Sequence, residues 1–250
     1  MFSELRHRDP VLFWIGAAML LGFVVSALLS IGDQRLVLGI NPWIKPMKFY
    51  TSVAMFLWTV AWFMPETTSA RGRSVVRWVI GTAMIIEMVC ITYQAGRGVT
   101  SHFNAETPFD AVLFAIMGVA IGFNTLAMVL FLFIIRRDTP PNRAGYIWGI
   151  RLGLILFLLA SAQGGLIVSN NAHTIGAPDG GPGLPFVNWS TEFGDLRIAH
   201  FIGMHALQGL PLLGFLTNSR GLIFATSAAW LIVMGGALMM ALQGRPLLAL

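Results

Sequence analysis

Four of the five histidines in this 250-residue sequence, His102, His173, His200 and His205, sit between or at the edges of long apolar runs; the fifth is His7. Neutral imidazole binds zinc, copper, iron and haem, and it exchanges protons near neutral pH. The densest pattern is Asp195-Leu196-Arg197-Ile198-Ala199-His200-Phe201-Ile202-Gly203-Met204-His205-Ala206-Leu207-Gln208. Each residue turns a helix by about 100°, so Arg197, His200 and Met204 share one face, and His205 and Gln208 share another about 140° away. That is not the i, i+4 pair of a zinc helix, which points both rings at one ion. Either the two rings serve different partners, or one is a ligand and the other is a structural histidine bonded to a carbonyl. A transition metal or haem held by His102, His200 and His205, with His173 and Met204 in reserve, is one expectation, although no two of these histidines have a spacing diagnostic of either.

Other residues suit anions and protons. Arg97 lies between two glycines in Gly96-Arg97-Gly98-Val99-Thr100-Ser101-His102-Phe103-Asn104. It and Arg197 could grip a carboxylate or phosphate in bidentate fashion; the plainer reading is an interfacial arginine that snorkels to lipid phosphates. Lys45 and Lys48 flank Pro46 where a helix is expected to begin, a place that attracts anions and equally anchors to headgroups. Glu87, Gln94, Gln163 and Gln208 lie inside apolar runs. A carboxylate at the depth of Glu87 costs a few kcal/mol if left charged and unpaired, so a proton, a cation or a donor from another helix is expected there. Gln163 equally reads as an interhelical hydrogen bond.

The elements that must position these residues follow from composition. Hydrophobic residues make up 56% and charged residues 11%, against roughly 25% charged in soluble domains. The apolar runs reach about 20 residues, the length of a helix crossing a ~30 Å hydrocarbon core. The fold class expected is all-α: a single domain over 1–250, an integral membrane bundle of about seven transmembrane helices. They fall near 11–30, 47–64, 78–95, 109–135, 146–169, 197–217 and 222–242. With the N-terminus in the cytoplasm, the inner connections hold nine basic residues: Arg6, Arg8, Arg71, Arg73, Arg77, Arg136, Arg137, Arg143 and Arg220. The outer ones hold six: Arg35, Lys45, Lys48, Arg97, Arg197 and Arg245. The bias predicts N-in and C-out, and it accounts for the net charge of +5 without nucleic acid as a partner. Cys90 is alone, so no intrachain disulfide or cysteine metal motif exists.

Under that topology, every histidine but His7 lies on the outer side. So do Asp33, Glu106, Asp110, Asp179, Glu192 and Asp195, although longer, wetter loops would collect such residues by default. The loop 170–196 exceeds the usual length of a plain connection. Its Phe186 and Trp189 suggest either a segment folded back as a lid over the helix ends or a flexible connection with an interfacial tryptophan. The outer ends of the third and sixth predicted helices are expected to meet, bringing Arg97 and His102 near Arg197, His200 and His205.

The stretches Asn41-Pro42-Trp43-Ile44-Lys45-Pro46, Ser101-His102-Phe103-Asn104, 179–189 and Arg197-Ile198-Ala199-His200-Phe201 resemble a group of bacterial polytopic membrane proteins with no assigned activity. The resemblance implies a multi-pass protein of the bacterial inner membrane. A looser similarity is to the seven-helix zinc hydrolases that include alkaline ceramidases. Their pattern pairs a serine and histidine on an early helix with His-x-x-x-His on the last. Here Ser101-His102 is followed by His200 and His205, five apart and on the penultimate helix. Three functions stay open: a metal or haem protein with redox activity; a transporter or receptor for a small anionic solute at the outer face, with Glu87 coupling protons; and a non-catalytic assembly or sensor protein. The lipid bilayer is the one partner common to all three.

Overall fold

A computed structural model describes residues 1–249. The chain is helical almost throughout: α1 (Phe2–Arg8), α2 (Pro10–Gly32), α3 (Ile44–Phe63), α4 (Ala70–Arg97), α5 (Pro108–Ile134), α6 (Ala144–Asn170), α7 (Leu196–Thr217) and α8 (Arg220–Leu242). The only paired strands among the described residues are β1 (Thr174–Ile175) and β2 (Gly194–Asp195), which are antiparallel. Six helices are long and apolar enough to cross a membrane: α2, α4, α5, α6, α7 and α8. Their outward surfaces carry Leu21, Val119, Leu126, Phe133, Phe215 and Ile232, an apolar exposure suited to lipid and not to water. All seven helices expected from sequence are present. The short α1 is additional. The 20-residue α3 falls outside the apolar six because Lys45, Lys48, Tyr50 and Thr51 lower the hydropathy of its first turns.

The chain divides into two compact units, the first Met1–Phe131 and the second beginning at Leu132. In the first, α2 and α3 approach closely because Gly16 and Gly22 leave room for rings. A Cβ on Gly16 would lie 2.6 Å from Trp58 Cδ1, and one on Gly22 would meet the Tyr50 ring. The Trp58 indole N–H donates to the Phe13 carbonyl at 3.1 Å. Asp9 begins α2: its carboxylate accepts from the Leu12 N–H at 3.1 Å and from Arg77 Nε on α4 at 2.7 Å. One side chain thus caps a helix and ties it to another. Ser69 caps α4, and Gly98 ends it at φ +75°, a conformation glycine adopts without strain.

In the second unit, α6 and α7 meet along a seam of small residues. Gly145, Gly149 and Gly153 recur every four residues on α6. A Cβ on Gly149 would lie 2.5 Å from the Leu210 carbonyl oxygen, and one on Gly153 2.8 Å from that of Ala206. On α7, Gly203 fits against Ala160, and Gly214 against the backbone of Gly145. Such spacing lets membrane helices approach to backbone contact, where dispersion forces act over the most atoms.

Candidate functional site

In the first unit, Glu87 lies midway along α4 and is 3% exposed. Its Oε1 is 3.7 Å from His102 Nε2. Its Oε2 is buried and has no hydrogen-bond partner among the described residues. His102 comes from the connection after α4, and its Nδ1 is 3.1 Å from the Ser101 hydroxyl. The rings of Phe49 and Phe114 sit 5.8 and 6.0 Å from the imidazole. Lys45, in the first turn of α3, acts electrostatically on Glu87, and its ammonium lies 5.9 Å from the Phe49 ring centre. Glu87, His102 and Ser101 therefore form one polar group walled by aromatic rings, with Lys45 against the Phe49 ring. Gly98 releases the chain from α4 at the point from which Ser101 and His102 can turn back toward Glu87.

A second polar group in the same unit joins Gln94, Arg97, Thr107 and Asp110. Asp110, in the first turn of α5, is 2% exposed. It pairs with Arg97 and accepts from Gln94 Nε2 at 2.8 Å and from the Thr107 hydroxyl at 2.5 Å. Arg97 also donates to Gln94 Oε1 at 2.6 Å. The carboxylate facing Arg97 is thus Asp110; Glu106, in the same connection, is exposed. A third group lies between α2 and α3. Arg35 grips Asp33 through Nε at 2.9 Å and Nη2 at 2.6 Å, and the Trp43 indole donates to the same carboxylate at 2.9 Å. The bonds from Arg35 outweigh desolvation and hold the Asp33 carboxyl well below the usual carboxylate range. Lys48 is half-buried on the first turns of α3.

In the second unit, the loop before α7 is ordered by two carboxylates. Asp179 takes the His173 ring at 2.6 Å and the backbone N–H groups of His173 and Thr174 at 3.1 and 3.0 Å. Asp195 caps α7 through the Arg197 N–H at 3.0 Å, receives Arg197 Nε and Nη2 at 2.9 and 2.6 Å, and holds the Ser190 N–H at 2.8 Å. Arg197 also donates to the Asn188 carbonyl. Trp189 folds back on Ile198, Ala199 and Ala237 and meets the Phe201 ring edge-on at 5.1 Å. Phe186 does not follow it and stays exposed. A small pocket of about 40 Å³ lies between Thr174, Asn188, Ser190 and Arg197.

The two α7 histidines have different partners. His200 Nδ1 is 2.8 Å from the Ala160 carbonyl of α6. A carbonyl only accepts, so Nδ1 carries a proton, and in the neutral ring Nε2 holds the lone pair. His205 lies against the Phe201 ring, 4.1 Å between centres, and bonds the Gln208 side chain. Gln163 donates to the Leu196 carbonyl at 3.1 Å, and its buried Oε1 has no partner among the described residues. Among the described residues, no three His, Cys, Asp or Glu side chains gather where they could hold a metal ion.

Sequence reasoning passed over three features. The Asp9–Pro10 cap could have been read from an acidic residue before a helix-starting proline. The Gly145/Gly149/Gly153 seam could have been read from its spacing. The match of Arg97 to Asp110 had no local signal beyond an acid in a first helical turn. The chain matches no protein-family model, no curated protein and no solved structure.

Proposed function

We propose that this chain is a multi-pass protein of the bacterial inner membrane that binds and releases a proton at the Glu87–His102 pair and couples it to a small anionic solute. The observation that carries this reading is Glu87: a buried carboxyl in a candidate membrane span, one oxygen without a partner and the other near an imidazole. A bare carboxylate in such surroundings is costly, so the group holds a proton or a cation, and a neighbouring imidazole gives that proton a route out. The half-buried His102 and the Ser101 hydroxyl extend the path into the connection between α4 and α5. Lys45 brings a positive charge that stabilises the deprotonated carboxylate and, with Lys48, attracts an anion.

The topology that serves this reading has seven spans, N-in and C-out. At about 1.5 Å per residue, the 20 residues of α3 reach about 30 Å, enough to cross. Its polar first turns then lie at the outer interface, beside the connection that carries His102.

Infrared difference spectroscopy across a pH titration tests the proton site. The protonated-carboxyl band should vanish in Glu87→Gln, a variant that keeps its hydrogen-bonding capacity and should fold. It should shift in His102→Asn. A band unchanged in Glu87→Gln sinks the reading.

A second reading has its own support. His200 presents the tautomer of a metal or haem ligand, with Nδ1–H anchored to a carbonyl and the lone pair on Nε2. An absorption band in the optical spectrum of the purified protein, lost in His200→Ala, would favour it; a protein without bound iron, copper or zinc would end it.

A further inference from the structure

His7 and Arg6 stand outside every group described above. α1 is held to the first unit by one side only. Leu5 is buried, Phe2 meets the Trp58 ring edge-on at 5.6 Å, and Arg8 bonds Glu4 at 2.8 Å and the Trp62 carbonyl at 2.8 Å while lying over the Trp62 ring. The opposite side of α1 carries Ser3, Arg6 and His7, and it continues into Pro10 and Trp14 of α2. These five residues line one open groove of about 550 Å³. Arg6 and His7 have no hydrogen-bond or ion-pair partner among the described residues. Trp14 is 60% exposed at the start of a membrane span.

We infer that this groove binds the headgroup of an anionic phospholipid, with Arg6 and His7 on the phosphodiester, Ser3 as a hydroxyl donor and Trp14 against the glycerol and upper acyl chain. Three observations converge on that occupant. The polar lining holds the Arg6 guanidinium and no acidic side chain, so it favours a negative charge. The groove runs from a surface helix directly onto the first turn of a span, which is the path from headgroup to acyl chain. An exposed tryptophan at that level is the side chain that favours the membrane–water boundary. A free phosphate would satisfy Arg6 and His7 but would leave Trp14 uncovered. The neighbouring Arg8 is spent on Glu4 and Trp62, which leaves Arg6 as the arginine of α1 able to turn to a ligand. The site does not depend on the Glu87 reading and can fail or stand without it.

Native mass spectrometry of the detergent-solubilised full chain tests the site with phosphatidylglycerol and phosphatidylcholine of identical acyl chains. The parent protein should retain phosphatidylglycerol in preference to phosphatidylcholine. Arg6→Gln should weaken phosphatidylglycerol binding about fivefold, the effect of one basic residue at a membrane surface, and His7→Gln should weaken it further in the double variant. Trp14→Ala should lower retention of both lipids. Inorganic phosphate at millimolar concentration should not displace the lipid; displacement would assign the groove to a soluble anion and overturn the proposal. Equal phosphatidylglycerol retention by parent and double variant would overturn it as well. Arg6 and His7 are exposed, so both variants should melt with the parent, and a change in melting would show that these side chains hold α1 in place and not a lipid.

Discussion

At Asp179, burial and hydrogen bonding pull in opposite directions. Burial disfavours the charge, while the His173 ring and the backbone N–H groups of His173 and Thr174 favour it more, and the carboxyl is held well below the usual carboxylate range. A depressed folded value means that the stabilisation is fully present above the unfolded carboxylate value and is lost as pH falls through the folded one. The loop 171–195 should therefore keep its hydrogen-exchange protection, corrected for intrinsic rates, from neutral pH down to about pH 4, the region of an unperturbed aspartate. Protection should fall below that. Asp179→Asn should expose the loop at neutral pH while leaving α6 and α7 protected. A loop equally protected in parent and variant would mean that Asp195 and Trp189 hold it unaided. The same scale explains Arg97 and Arg197. Each guanidinium already faces a buried carboxylate, Asp110 or Asp195, so each arginine organises its connection.

Among the elements, the α6–α7 pair depends on what its glycines lack. Two apolar helices in lipid gain no hydrophobic drive from associating, so close backbone contact supplies the attraction. Gly149→Val would push a branched side chain into the Leu210 carbonyl and the Pro211 Cα. It should cost about 1–3 kcal/mol, the range for overpacking, seen as a lower melting temperature in detergent. Gly118→Val on α5 is the comparison, because a Cβ there meets nothing within 4 Å; it should melt close to the parent. Equal losses from both would point to valine's effect on helix geometry and away from the seam. The seam also positions chemistry, since it sets the His200 ring against Gly164 and the Ala160 carbonyl.

For the whole molecule, α3 decides parity. Six helices pass on length and apolarity, and six spans alone would return the C-terminus to the side of the N-terminus. With α3 as a seventh span, the termini lie on opposite sides. A periplasmic phosphatase fused to the C-terminus should be active in cells, and a cytoplasm-only fluorescent reporter at the same place should be dark. The reverse pattern would mean that α3 does not span or that the N-terminus lies outside, and in both cases the His102 connection moves to the other face. If seven helices span, the positive-inside count favours the N-terminus inside, nine basic residues against six.

The membrane character and all seven long helices were legible in the sequence, because both depend on local quantities. Run length and hydropathy decide whether a segment can leave water, and in lipid the backbone must bond within its own helix. Glu87 and the histidines could likewise be picked out by rarity alone. Their partners could not. Asp9 meets Arg77 across 68 residues, and His200 meets Ala160 across 40. Such pairings depend on how each helix is rotated and shifted against its neighbour. In a soluble helix, an apolar stripe reveals that rotation; here lipid-facing and core-facing sides are both apolar, so the stripe is erased. The tertiary structure alone decided that Glu87 faces His102, that Arg97 is answered by Asp110, and that Trp189 folds back over α7 while Phe186 stays out. In each case, close packing between helices and loops, set by a few glycines and caps, selected one partner from several that the sequence left equivalent.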